Sequence, residues 1–175
     1  MHKDHPQEHQ VIVNGEHSPV EVAKFILIIS AILGASLALT NKYGPINFEG
    51  WSRWFMGVFF VVFASFKFVG YKMFSMMFAG YDVIAKRSML YAHLYPFIEL
   101  ALGLAYLLNI APVARDVSAL IIMSVSTIGV YQEIKKRSGI HCACLGNVIK
   151  LPLSTVSLVE DVSMGLMALI MLAKR

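Results

Sequence analysis

Charge is the scarcest property of this sequence: 15% of its 175 residues are Asp, Glu, Lys or Arg. An ordinary globular domain carries about 25%, so there is too little charge here to clothe a water-soluble surface. With two cysteines, the chain cannot be a disulfide-stapled secreted scaffold. It has no glycine-rich phosphate loop and no pair of catalytic carboxylates in a soluble cleft, which removes nucleotide and glycan chemistry. Internal repeats and low-complexity tracts are also missing. Lys and Arg exceed Asp and Glu by fifteen to eleven. Those cations sit in short groups between apolar stretches, the pattern expected beside anionic lipid rather than along a nucleic acid.

What remains is apolar. Hydrophobic residues make up 57% of the chain and mean hydropathy is +0.65. The expected fold is all-α, a polytopic helical bundle in a lipid bilayer, because unsatisfied backbone is prohibitive in hydrocarbon. Residues 1–21 read as a polar tail with His2, His5, His9 and His17. The tail is acidic as well as basic, so no cleavable signal is expected at the start. Crossing the hydrocarbon core takes about 20 helical residues, and Val22–Thr40 supplies a first span. Gly44, Pro45 and Gly50 suggest a loop, with Trp51 and Trp54 at an interface. A second span starts near Arg53 and runs to about Lys67. Residues 68–87 mix Phe74, Phe78 and Tyr81 with Lys72, Lys86 and Arg87, which predicts an interfacial amphipathic helix. Further spans are expected at Met89–Ile110, Val117–Gln132 and Ser154–Ala173, five in all.

The two thiols lie one residue apart, Cys142 and Cys144, in the loop His141-Cys142-Ala143-Cys144-Leu145-Gly146. This spacing supports two chemistries and leaves both open. A disulfide across it closes a tight ring, and strained disulfides are the labile, catalytic ones. His141 and the cluster Lys135, Lys136 and Arg137 favour the reactive thiolate. Alternatively, Cys142, Cys144 and His141 form a three-ligand set for a soft metal ion, with the tail histidines as a loading site. An inert thiol pair is the bland third case.

From about Trp51 to Ala173 the chain resembles the MauE family, named for methylamine utilisation and related to the DoxX-like membrane proteins. The resemblance rests on Arg53 at the start of a helix and Lys67 at its end. It rests also on Pro96, Glu99 and Gly103 in YPFIELALGL, and on Cys142-Ala143-Cys144-Leu145-Gly146 followed by Ser154 and a last helix. Leu145 stands where the family usually has Phe, and Glu160-Asp161 where Arg-Asn is expected. The resemblance implies a four-helix core over 51–173, with residues 22–40 an extra transmembrane helix. It also implies a thiol–disulfide role beside a thiol- or disulfide-bearing protein partner, in a multi-pass bacterial inner-membrane protein. With a single cysteine pair, electrons must pass directly to a quinone or to that partner. The family setting puts the thiols on the periplasmic side. The charges argue the opposite, because nine cations flank the cysteine-loop side (Lys3, Lys24, Lys72, Lys86, Arg87, Lys135, Lys136, Arg137, Lys150) and five the other (Lys42, Arg53, Arg115, Lys174, Arg175).

Several charges fall inside expected spans, where each costs several kcal/mol unless partnered. Glu99 is mid-span, with Lys67 and Arg53 as candidate partners. If its carboxyl is already neutral, Glu99→Gln is tolerated; loss of the protein from the membrane marks an ion pair instead. Glu160 and Asp161 are adjacent in the last helix, so at least one points away from lipid. Either could take a proton from an ionising thiol. His93 is expected to be a hydrogen-bonded bundle residue.

Overall fold

The computed structural model describes residues 19–44, 46–136 and 155–174. These form six helices: α1 (Pro19–Tyr43), α2 (Phe48–Val69), α3 (Tyr71–Tyr81), α4 (Met89–Leu107), α5 (Pro112–Lys136) and α6 (Thr155–Ala173). There is no strand among the described residues. Four segments are long and apolar enough to cross a membrane: Val22–Tyr43, Phe48–Val69, Met89–Leu107 and Pro112–Lys135. The last expected span corresponds to α6, whose nineteen residues make about 28 Å of helix.

Helix ends depart from the sequence expectations for local reasons. α2 opens at Phe48 rather than near Arg53, because the Asn47 side chain accepts from the Gly50 N–H at 2.7 Å and caps the first turn. Gly50, expected in the loop, and Trp51 therefore lie inside the helix. α4 stops at Leu107, short of Ile110, where Asn109 and Ala111 take positive φ angles of 54° and 42°. That left-handed backbone cannot continue a helix. α5 starts at Pro112, five residues before Val117, since a proline in the first helical position forfeits no hydrogen bond.

Two apolar cores run through the bundle. The first gathers Phe55, Phe59, Phe60 and Phe63 of α2 with Leu102, Tyr106, Met123, Met164 and Met171. The second joins Phe74, Phe78 and Tyr81 of α3 to Ala92 and Tyr95 of α4 and Val130 of α5. The spacing of Phe74, Phe78 and Tyr81 places all three on one face of α3. That face is buried while Lys72, Met73 and Met76 are exposed, so α3 is amphipathic as expected. α1 packs on α2 alone among the described helices and stays largely exposed.

Two glycines set the spacing of the layers. A Cβ on Gly103 would lie 2.8 Å from Val61 Cγ2 and 2.9 Å from the Val61 nitrogen, so α4 touches the α2 backbone there. A Cβ on Gly129 would come within 2.9 Å of the Tyr81 carbonyl oxygen, where α5 crosses the end of α3. Gly103→Ala is expected to cost about 1–3 kcal/mol through overpacking, read as a lower melting temperature of the purified protein. An unchanged melting temperature would mean that α2 and α4 separate freely at this point.

Candidate functional site: a buried ionic cavity between the two cores

Where the two cores meet, five helices converge on a cavity of about 20 Å³, enough for a single water molecule. Its walls take Phe59, Phe63 and Met123 from the first core and Phe74, Phe78, Tyr81 and Tyr95 from the second. The polar lining is Lys67, Glu99, Ser126, Glu160 and Asp161.

Lys67 donates to Glu99 Oε2, and both side chains are about 5% exposed. This is the partner that Glu99 requires, and it settles the choice between Lys67 and Arg53. The ammonium also lies among rings, 5.3 Å from the Tyr95 centroid, 5.7 Å from Phe74 and 6.0 Å from Phe63. The quadrupoles of those rings stabilise the cation where water is scarce. Ser126 of α5 donates to Asp161 Oδ2 of α6 at 2.7 Å. Both members of the Glu160–Asp161 pair line the cavity. Among the described residues, then, one cation meets three carboxyls there. Asp161 has a second aspect. It also lines an open groove of about 370 Å³ between α5 and α6, with Ser124, Thr127, Gly165 and Leu166. A single carboxyl thus borders both the interior and the bundle's outer face.

Asp82 closes α3 beside this region. Its Oδ1 accepts from the Ile84 and Ala85 N–H groups at 2.9 and 2.8 Å. Burial pushes its carboxyl above the usual carboxylate range, and the Ala85 and Ile84 amides pull it part of the way back. Four residues after Asp82, Lys86 pairs with Glu133 of α5 at 3.6 Å.

Arg53 does other work. Its Nη1 donates to the carbonyls of Tyr106 and Leu107, both at 3.2 Å, and so caps the C-terminus of α4. Arg115 packs nearby, with Nε on Asp116 at 2.9 Å, Nη1 on Asn109 at 3.1 Å and its Cζ 4.3 Å from the Tyr106 ring centroid. This cluster sits at the opposite end of α4 from Ser88, its N-cap. His93 is a bundle residue as expected, with Nδ1 2.8 Å from the Met89 carbonyl and the Tyr71 hydroxyl donating to its own carbonyl at 2.9 Å.

The sequence pattern identified Lys67, Glu99, Glu160 and Asp161, and the fold brings all four to one cavity. It did not identify Ser126, or the aromatic wall of Phe74, Phe78, Tyr81 and Tyr95. The i, i+4, i+7 spacing along α3 was the available signal for three of those rings. Cys142, Cys144, His141 and the tail histidines lie outside the described residues. Among the described residues no three of His, Cys, Asp and Glu converge as metal donors.

Residues 22–174 match the family described as Methylamine utilisation protein MauE. The chain belongs to the MauE family. The match takes in α1 as well as the helices from Trp51 onward. No curated protein and no solved structure matches the chain. Within this MauE-family fold, Lys67 of α2 and Glu99 of α4 make the bond that ties the two core helices together at the cavity. Gly103 lets the same two helices touch one turn farther along.

Proposed function

We propose that this MauE-family protein is a membrane-embedded thiol–disulfide component in which Cys142 and Cys144 alternate between dithiol and disulfide. The observation that carries the reading is topological. The segment holding both thiols joins α5 to α6, the two helices that bring Ser126 and Asp161 together at the cavity. Cys142 follows the last residue of α5 by six positions, and Asp161 lies six positions past the first residue of α6.

The exchange balances without an outside oxidant when the partner carries a disulfide. A thiolate of the pair attacks one partner sulfur, breaking the partner's S–S bond and forming a mixed disulfide. The second thiolate then closes the Cys142–Cys144 bond and releases the partner as a dithiol. Two electrons pass to the partner, and the two thiol protons end on its sulfurs. Run in reverse, the same steps install a disulfide in the partner and leave Cys142 and Cys144 as a dithiol, whose two electrons then pass to a quinone. Either direction needs a group that holds a proton between thiol ionisation and thiolate release. Asp161, hydrogen-bonded to Ser126 and bordering the outer groove, is the carboxyl that this reading assigns to the task.

Labelling in intact cells with a membrane-impermeant thiol reagent tests the reading. Label is expected on Cys142 and Cys144 only after mild reduction, and the purified protein should titrate as a two-electron couple that Cys142→Ser removes. Tight binding of a soft metal ion that Cys142→Ser abolishes, with no such couple, would replace this reading with metal delivery.

A further inference from the structure

Toward the opposite end of α2 from Lys67, the bundle carries a second and larger opening. Between α1 and the start of α2 lies a groove of about 620 Å³. Leu37, Ala38, Ile46 and Phe48 give it an apolar wall, and Thr40, Asn41, Asn47 and Trp51 give it a polar end. The Lys174 ammonium stands 4.8 Å from the ring centroid of Phe48, at the edge of the groove. Lys42, next to Asn41, lies 5.1 Å from the Tyr43 centroid. The N-terminus of α2 adds the positive end of its dipole. Glu49, exposed in the first turn of α2, is the acidic residue adjoining the groove's lining.

We propose that this groove is a binding site for one anionic phospholipid, with an acyl chain along Leu37 and Ala38 and the phosphate between Lys174 and Lys42. The occupant follows from the charge. A zwitterionic lipid leaves the two ammonium groups unanswered by net charge, and a second copy of this chain in the same orientation brings its own Lys42 and Lys174 to the same end. A phosphate diester on an apolar tail supplies negative charge to the two lysines and fills the apolar wall with hydrocarbon. The site is independent of the thiol chemistry.

The test is native mass spectrometry of the full chain, released from micelles containing equal phosphatidylglycerol and phosphatidylcholine. One phosphatidylglycerol per chain is expected, preferred by about thirtyfold, with a loss of about fivefold for each of Lys42→Gln and Lys174→Gln. Both lysines are exposed, so neither replacement disturbs the packing. Ala38→Trp, which fills the groove, should displace the lipid whatever its headgroup, while Lys135→Gln near the end of α5 should change nothing. Equal retention of the two lipids would overturn the proposal. So would a preference that survives loss of both lysines, lipid retained by Ala38→Trp, or a lipid-free dimer.

Discussion

Lys67→Met is expected to remove about 3–5 kcal/mol of stability, the usual consequence of stranding one member of a buried ion pair. The protein should then fail to accumulate in the membrane, or melt far below the wild type once purified. The expectation comes from the charge balance of the cavity, where Lys67 is the one cation facing Glu99, Glu160 and Asp161 among the described residues. Glu99→Gln should do less harm, about 1–3 kcal/mol, because the ammonium it leaves behind still faces Asp161 and Glu160. The structure thus chooses between the two sequence-level expectations for this variant. Glu99 is ion-paired, so some loss of stability is expected rather than full tolerance. The double variant Lys67→Met/Glu99→Met should regain part of what Lys67→Met loses, as apolar replacement of buried pairs commonly does. The decisive outcome is the ranking by thermal unfolding. Equal damage from Lys67→Met and Glu99→Gln would show that the carboxyls of α6 do not share the cation.

That ranking depends on where the sequence was legible and where it was not. The number and order of helices followed from hydropathy alone, because each long apolar run has room for only one structure in lipid. The amphipathic character of α3 followed from its mixed composition. Helix ends were harder, since they turn on single residues. Asn47 looks like loop until its side chain is seen to cap Gly50, and Ala111 gives no sequence warning that it takes a positive φ. Charges inside spans announced themselves as sites, since burial demands a partner, but the demand does not name the partner. Arg53 and Lys67 were equal candidates for Glu99. The fold separates them by nearly four helical turns along α2, sending Arg53 to the carbonyls at the end of α4 and Lys67 to the cavity. Ser126 was not found, because one hydroxyl in an apolar helix carries no pattern. Only the packing of α5 on α6 brings it to Asp161.

Asp161→Asn is expected to slow thiol–disulfide exchange by about 100-fold, the lower end of what a positioned proton acceptor contributes, while leaving the fold intact. Asparagine keeps the size of the side chain and can still accept from the Ser126 hydroxyl, so the α5–α6 contact survives. It also removes one of three carboxyls around a single ammonium, which relieves the cavity rather than straining it. A loss of rate without a loss of melting temperature therefore separates proton handling from structural support. Ser126→Ala serves as the companion variant. If the hydroxyl only positions the carboxyl, exchange should slow by far less than in Asp161→Asn, and its pH profile should shift rather than flatten. Glu160→Gln supplies the contrast within α6, since its carboxyl also lines the cavity but has no place in the outer groove. If the groove is the route by which protons leave, Glu160→Gln should retain most of the wild-type rate. Equal slowing by Asp161→Asn and Glu160→Gln would make the negative charge of the cavity, and not the double exposure of Asp161, the property that matters. An unslowed Asp161→Asn with both thiols still cycling would leave the cavity a purely structural knot, and the proton from the thiols would have to leave through water at the end of the bundle where α5 stops and α6 begins.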